Sequence, residues 1–243
     1  MFINLTILEI HMKFDQHFMI DEELIKEVVS FLNINKSETI LEIGGGKGVL
    51  TEEILKKNKN LTVVEIDYEL CLDLKSKYKN AKIINKNILD YRELNYDKIV
   101  GNLPYSILES LMRILVNSEF ELAVFTVSKG FMKSDSLKLL MNIFFNIERL
   151  LIVNEESFDP MPKVKSEAIR ITNKKINRKS ILIREIYLQS NKKISNSIID
   201  GFCKIYKLSK REAKAKLPSL KFLDKKSYTL NFKEWEELIN ILE

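Results

Sequence analysis

Asn102-Leu103-Pro104-Tyr105 places a side-chain amide, a run of backbone carbonyls and an aromatic ring within four residues. That set suits methylation of an exocyclic amine. The lone pair of adenine N6 is delocalised into the ring, so the nitrogen is a poor nucleophile. The Asn102 side-chain oxygen and the Leu103 carbonyl can each accept one N–H, which draws the nitrogen toward tetrahedral geometry and frees its lone pair. Pro104 has no N–H and stiffens the turn. Tyr105 offers a face on which an extruded base can stack. With a sulfonium as leaving group no strong base is needed, and positioning and dipoles carry the rate. The plainer reading of the tetrad alone is a proline-closed strand end with a packed tyrosine.

A second constellation narrows the choice. Gly44, Gly46 and Gly48 follow the apolar run Thr39–Ile43 directly, with Glu42 just before them. A dinucleotide fingerprint needs G-x-G-x-x-G, and Val49 stands where its third glycine belongs. The pattern therefore argues for a nucleoside without a pyrophosphate. Glu65 follows about 20 residues later, where such folds place a ribose-binding acid. S-adenosylmethionine carries that ribose and no phosphate, and its zwitterionic end can be met by backbone groups. Asn87 is placed to accept from the adenine amine, with Ile66 and Ile88 on the two faces of the ring. The alternative is a tight turn, a solvated acid and ordinary core residues.

These residues need a frame that brings them together. Asp21–Leu32 reads as a helix capped by Asp21, with Leu24, Ile25, Val28, Val29 and Leu32 on one face. Apolar runs at Thr39–Ile43, Leu61–Ile66, Ala81–Ile84, Lys98–Gly101 and Leu122–Val127 read as strands. Helical spacing fills Val49–Lys57, Tyr68–Tyr78, Ile107–Val116 and Ser136–Ile147. Two further strands are expected at Arg149–Val153 and Glu167–Thr172. Strands alternating with helices imply a doubly wound, mostly parallel sheet. After the basic stretch Thr172–Ser180 only helices are expected: Ile181–Gln189, Ile194–Tyr206, Lys210–Lys216 and Phe232–Leu242.

Composition sets the bounds. The 243 residues are 45% hydrophobic and 30% charged, enough for one large domain plus an appendage without staples. Two cysteines, Cys71 and Cys203, make no disulfide framework, which points to a reducing cytoplasm. No apolar run approaches the ~20 residues of a membrane helix, because Ser136–Val153 carries Lys138, Glu148 and Arg149. Met1–Phe14 is apolar but lacks the basic region and cleavage site of a signal peptide, and Met12 is an alternative start. The net charge of +5 hides an asymmetry. Met161–Lys226 holds 19 basic against 5 acidic residues, while the rest holds 20 against 29. One end is thus suited to a polyanion, although a lysine-rich solvated surface would look the same.

With these residues assembled, the chain resembles the KsgA-type ribosomal RNA adenine N6,N6-dimethyltransferases over nearly its whole length. Asp15–Asp21 is similar to the family's G-Q-x-F-L-x-D, with Asp15 for Gly and Met19 for Leu. Leu41–Thr51 resembles its cofactor loop, Val64–Asp67 its V-E-I-D, and Gly101–Tyr105 its G-N-L-P-Y. Phe158–Ser166 fits its F-x-P-x-P-K-V-x-S, the most specific of these motifs. The resemblance implies cofactor contacts at His17, Met19, Gly44, Glu65, Asn87 and Asn102, to which the glycine loop and the strand ends add Gly46, Ile66 and Ile88. It implies catalytic work at Asn102, Leu103, Tyr105 and Phe158, the two aromatic residues clamping the adenine, and no metal. Asn87 stands where the family has Asp, and Ser128–Asn142 is shortened and lacks the family's Q-x-E and Y-G-R-L-S patterns.

The implied fold is a Rossmann-like, doubly wound S-adenosylmethionine-dependent methyltransferase domain over 1–175; with Met12 as the start, 1–12 is expected to be a non-essential extension. A small all-helical RNA-binding domain is expected over 176–243. The implied partner is small-subunit ribosomal RNA in a pre-30S-type particle, met by a cytoplasmic monomer. Erm-type enzymes acting on large-subunit RNA share the core motifs. Cys71, Asn85–Leu89 and the compact length resemble them, whereas Gln189–Lys193 and Leu230–Leu242 resemble the small-subunit enzymes. Two readings of other classes are a ribosome-assembly or transcription factor without turnover and a DNA adenine methyltransferase. The complete Phe158–Ser166 motif argues against the latter.

Overall fold

The computed structural model describes residues 16–242, with the Tyr105 side chain outside the described set; so are the Met1–Phe14 segment with its alternative start, and Asp15. The chain divides into two compact units, one comprising residues up to Phe131 with Asn146–Asn173, the other Met132–Phe145 with Lys174–Glu243.

The first unit begins with a two-residue strand, β1 (Phe18–Met19), and helix α1 (Glu22–Ser30). The Asp21 carboxylate accepts from the backbone N–H of Glu23 and Leu24, both at 3.1 Å, satisfying donors that a helix start leaves open. Then follow β2 (Ile40–Ile43), α2 (Val49–Leu55), β3 (Leu61–Glu65), α3 (Tyr68–Lys77), β4 (Lys82–Asn85), β5 (Lys98–Asn102), α4 (Leu108–Val116) and β6 (Leu122–Ser128). Strands β7 (Phe145–Val153), β8 (Phe158–Asp159) and β9 (Ser166–Asn173) complete it. The main sheet has the order β4-β3-β2-β5-β6-β9-β7. The pairs β4/β3, β3/β2, β2/β5 and β5/β6 are parallel, and β6/β9 is antiparallel. Strands β2, β3 and β5 are almost continuously buried, as expected of parallel strands covered on both faces.

Separately, β1 pairs antiparallel with β8, Phe18 opposite Asp159 and Met19 opposite Phe158. No periodicity announces a ribbon of two-residue strands 140 positions apart.

Helix α5 (Asp135–Phe144) differs from the expected Ser136–Ile147 at both ends. Ser134 caps its start through Leu137 N–H, and the chain is extended from Phe145 onward. Phe144 ends its buried face of Leu137, Leu140 and Met141, and the Phe144 carbonyl takes the Lys174 N–H at 2.8 Å instead of continuing the helix. This helix lies in the second unit, against α9 (Phe232–Ile241). The other helices there are α6 (Arg178–Leu188), α7 (Ile194–Tyr206) and α8 (Lys210–Ala215). Gly201 lets α7 approach α6, since a Cβ there would lie 2.4 Å from Leu182. Tyr187 and Trp235 meet edge to face at 6.2 Å. Ser209/Glu212 and Asn231/Glu234 form reciprocal capping boxes on α8 and α9.

Candidate active site

From β2 the chain builds outward to β3 and β4 on one side, then returns to lay β5 and β6 on the other. Ligands of open α/β sheets bind at the strand carboxyl ends where the order reverses. A cavity of about 430 Å³ opens there. Ten of the expected site residues line it: His17, Met19, Gly44, Glu65, Ile66, Asn87, Ile88, Asn102, Leu103 and Phe158. Gly46 is not among the lining residues, and Tyr105 opens a single 3-10 turn leading into α4.

The loop after β2 is held from the next strand. Glu65 is 2% exposed, its Oε2 accepts the Gly46 N–H at 2.9 Å, and its Oε1 accepts the Asp67 N–H at 2.9 Å. Burial pushes its carboxyl pKa up, while these two backbone donors oppose the shift. Each oxygen keeps a second lone pair for a ligand hydroxyl. Gly48 caps α2 with a φ of +87° and lies under the Tyr78 ring, 2.5 Å from where a Cβ would stand. Any other residue there would be strained and clash.

The ribbon β1/β8 forms the opposite wall. The Phe18 ring rests 3.1 Å from the Cβ position of Gly46. Lys47 spans from the glycine loop to the ribbon, with its Nζ 3.7 Å from Asp159 and 4.7 Å from the Phe18 ring centre. His17 Nδ1 donates to the Pro160 carbonyl at 2.7 Å.

Asn102 ends β5 beside the loop. Its Nδ2 donates to the His17 carbonyl at 2.7 Å. At Gly101, one residue earlier, a Cβ would lie 2.6 Å from the Ile43 carbonyl, so β5 can sit this close to β2 only with glycine. Leu103 N–H is held by the Thr126 carbonyl at 3.0 Å.

Two expectations change in detail. Asn87 Oδ1, expected to face an adenine amine, accepts the Leu89 N–H at 2.9 Å and caps the 3-10 turn Ile88–Asp90. That oxygen keeps a second lone pair for a ligand amine, and the amide nitrogen is a further donor. Phe158, expected as a stacking face, is only 4% exposed and packs within the core cluster that includes Met19. Ile66 is 44% exposed at the rim and Ile88 is buried, so an apolar slot lies between strand ends.

Glu42 is the residue the sequence reading passed over. It is 0% exposed and contributes to the cavity wall. Thr51 Oγ1 donates to its Oε2 at 2.6 Å. A charged residue in the otherwise apolar run Ile40–Ile43 was the available signal. Two buried side-chain oxygens of the wall, Gln16 Oε1 and Glu42 Oε1, have no hydrogen-bond partner among the described residues. A ligand rich in hydroxyl and ammonium donors fits such a lining, and so does the slot for a flat ring.

A Rossmann-like sheet carrying a glycine loop, a buried acid on the next strand and an amide at the end of β5 defines a methyltransferase fold. The sequence model of the ribosomal RNA adenine dimethylase family matches residues 7–228, and the chain belongs to that family. It is 35% identical over 214 residues to the ribosomal RNA small subunit methyltransferase A of Malacoplasma penetrans, covering 79% of each chain. The protein of that name from Borreliella burgdorferi is 32% identical over 249 residues, covering 93% of this chain and 86% of that one. The crystal structure of a dimethyladenosine transferase from Plasmodium falciparum superposes with a TM-score of 0.62 at 21% identity. It covers 91% of this chain and 96% of that one, a likeness of fold. The methyl donor of such a family is S-adenosylmethionine. No helix among the described residues is long and apolar enough to cross a membrane.

Proposed function

We propose that the protein transfers methyl groups from S-adenosylmethionine to N6 of adjacent adenosines in a loop near the 3′ end of small-subunit ribosomal RNA. Asn102 is the observation that carries the chemistry. A carbonyl can only accept, so the bond to His17 fixes the amide nitrogen on that side and commits Oδ1 to accepting. An acceptor held in place beside the cavity can take one N6–H, with the Leu103 carbonyl as its neighbour for the other. The relatives named above support the choice of the small-subunit target over the large.

The glycine loop and Glu65 hold the ribose of the cofactor, with Ile66 and Ile88 about its adenine and the Asn87 oxygen accepting from the adenine amine. His17, Met19 and Gly44 complete the contacts, and Gly46 acts through Glu65. When bound, S-adenosylmethionine supplies an electrophilic methyl on a sulfonium, a leaving group that needs no acid. Tyr105 and Phe158 hold the extruded base. The first unit is the catalytic part. The second, with 19 basic against 9 acidic residues, holds the RNA backbone. The protein works as a cytoplasmic monomer on a partly assembled small subunit.

Incubation with labelled S-adenosylmethionine and unmethylated small or large ribosomal particles tests this. Dimethyladenosine in the small particle alone is expected. Label in the large particle would replace the target, and no label in either would leave a non-catalytic assembly factor.

A further inference from the structure

Two carboxylates stand at the cavity on neighbouring strands, and the reading above uses only Glu65. Glu42 is wholly buried, with one oxygen taken by Thr51 and the other without a partner among the described residues. The groups that act on it from neighbouring elements are the Thr51 hydroxyl on α2, the Glu65 carboxyl on β3 and the Tyr78 phenol after α3. None of them is a cation, and the two lysines of the cavity wall are engaged elsewhere, Lys47 with Asp159 and the Phe18 ring and Lys86 over the Tyr91 ring. Burial, against the Thr51 hydrogen bond and with help from Glu65, pushes the Glu42 carboxyl up to about 8. A buried acid without a counter-charge takes up a proton rather than stay ionised. A fixed positive charge brought within a few ångströms reverses that preference.

We propose that Glu42 is a proton switch of the cavity, protonated in the ligand-free protein and ionised when a sulfonium nucleoside is bound. This rests on the S-adenosylmethionine reading of the site. The proton goes to solvent as the methyl donor binds. Once the methyl has left, the sulfur is a neutral thioether, and Glu42 takes a proton back from solvent. The switch therefore matches the charge of the donor and not that of the product, favouring exchange of one for the other after turnover.

The test is calorimetry of the full chain at pH 7, in buffers of different ionisation enthalpy, with S-adenosylmethionine and with S-adenosylhomocysteine. Both ligands share the same amino-acid end, so the difference in protons released isolates the sulfonium. The donor is expected to release at least about half a proton more than the thioether. Its affinity should strengthen up to about tenfold per pH unit toward pH 8, then level off. Glu42→Gln should abolish the difference. Equal proton release by the two ligands in the parent protein would overturn the switch, and this holds even if the variant fails to fold. An unchanged difference in a folded Glu42→Gln protein would also overturn it. Binding of neither ligand would instead remove the cofactor reading beneath it.

Discussion

The Asn102 amide donates to the His17 carbonyl at 2.7 Å, joining residues 85 positions apart in the chain. The bond fixes the amide nitrogen on the His17 side and leaves Oδ1 as the free acceptor. Asn102→Ala should lower methyl transfer by about 10²-fold or more, as for loss of one positioned polar group at a reacting centre. RNA affinity should hardly move, because phosphate contacts supply most of it. Asn102→Asp should not rescue, since a carboxylate sets oxygen against the His17 carbonyl. Single-turnover rates at saturating RNA and cofactor check both. A fully active alanine variant would remove the proposed role.

Glu65 serves two masters, holding Gly46 and Asp67 through one oxygen each while facing the cavity. Glu65→Ala should weaken S-adenosylmethionine binding by about 1–3 kcal/mol, the range for hydrogen bonds to a charged group. Glu65→Gln should fall between, because its amide keeps one acceptor oxygen and offers a donor to a backbone N–H that has no use for it. Calorimetric Kd values give the order; equal affinity in all three proteins would break the ribose assignment.

The elements that carry this site were largely legible before the structure. The strand expected at Lys98–Gly101 runs one residue further to Asn102, and Asp21 caps α1 as its carboxylate suggested. Local spacing encodes such features. What escaped was non-local. Phe158 pairs with Met19 across the ribbon, which makes a ring expected to face a base part of the core. One local feature escaped as well: the Asn87 oxygen also closes an Asx turn onto the Leu89 N–H two residues on. Glu42 looked like a loop flank and is a buried acid, a matter of what β3 and α2 cover.

The second unit should bind RNA in a salt-dependent way. Lys192 and Lys193 are engaged by Asp200 and Asp224 at 2.6 and 2.7 Å. Lys207, Lys210, Arg211 and Lys214 show no ion pair among the described residues and are better placed for phosphates. Replacing these four by Ala should reduce the slope of log K against log salt by roughly 3–3.6, since each neutralised phosphate contributes about 0.7–0.9. Filter binding to a small-subunit RNA fragment across salt concentrations measures it, and an unchanged slope would place the RNA elsewhere.

Glu42 also ties stability to pH. Its pKa is raised from 4.5 to about 8 in the folded protein. Between those values the folded state holds a proton that the unfolded state has lost. Stability from this group is therefore complete below about pH 4.5 and declines as pH rises toward 8. At about 1.4 kcal/mol per pKa unit, the full span is on the order of 5 kcal/mol. Glu42→Gln has no proton to lose, so its stability relative to the parent should improve steadily from pH 5 to pH 8. Denaturant titrations at several pH values show this, and a constant gap between the two proteins would contradict a neutral Glu42.

Phe158 separates packing from recognition. The ring is 4% exposed within the core cluster and also faces the cavity. Phe158→Ala should cost about 3–5 kcal/mol of stability, the range for emptying an aromatic core position. In a chain of this size that lowers Tm by roughly 6–20 °C, and any loss of activity would be hard to read. Phe158→Leu refills most of the volume while removing the flat face. It should keep most of the thermal stability yet weaken use of the target base by about 1–3 kcal/mol, the usual worth of one stacked base. Methyl donor affinity should be close to that of the parent, because the loop and Glu65 are untouched. Thermal denaturation and single-turnover methylation on the same preparations distinguish the two roles. A leucine variant that methylates as fast as the parent would assign Phe158 to the core alone and leave Tyr105 as the stacking partner.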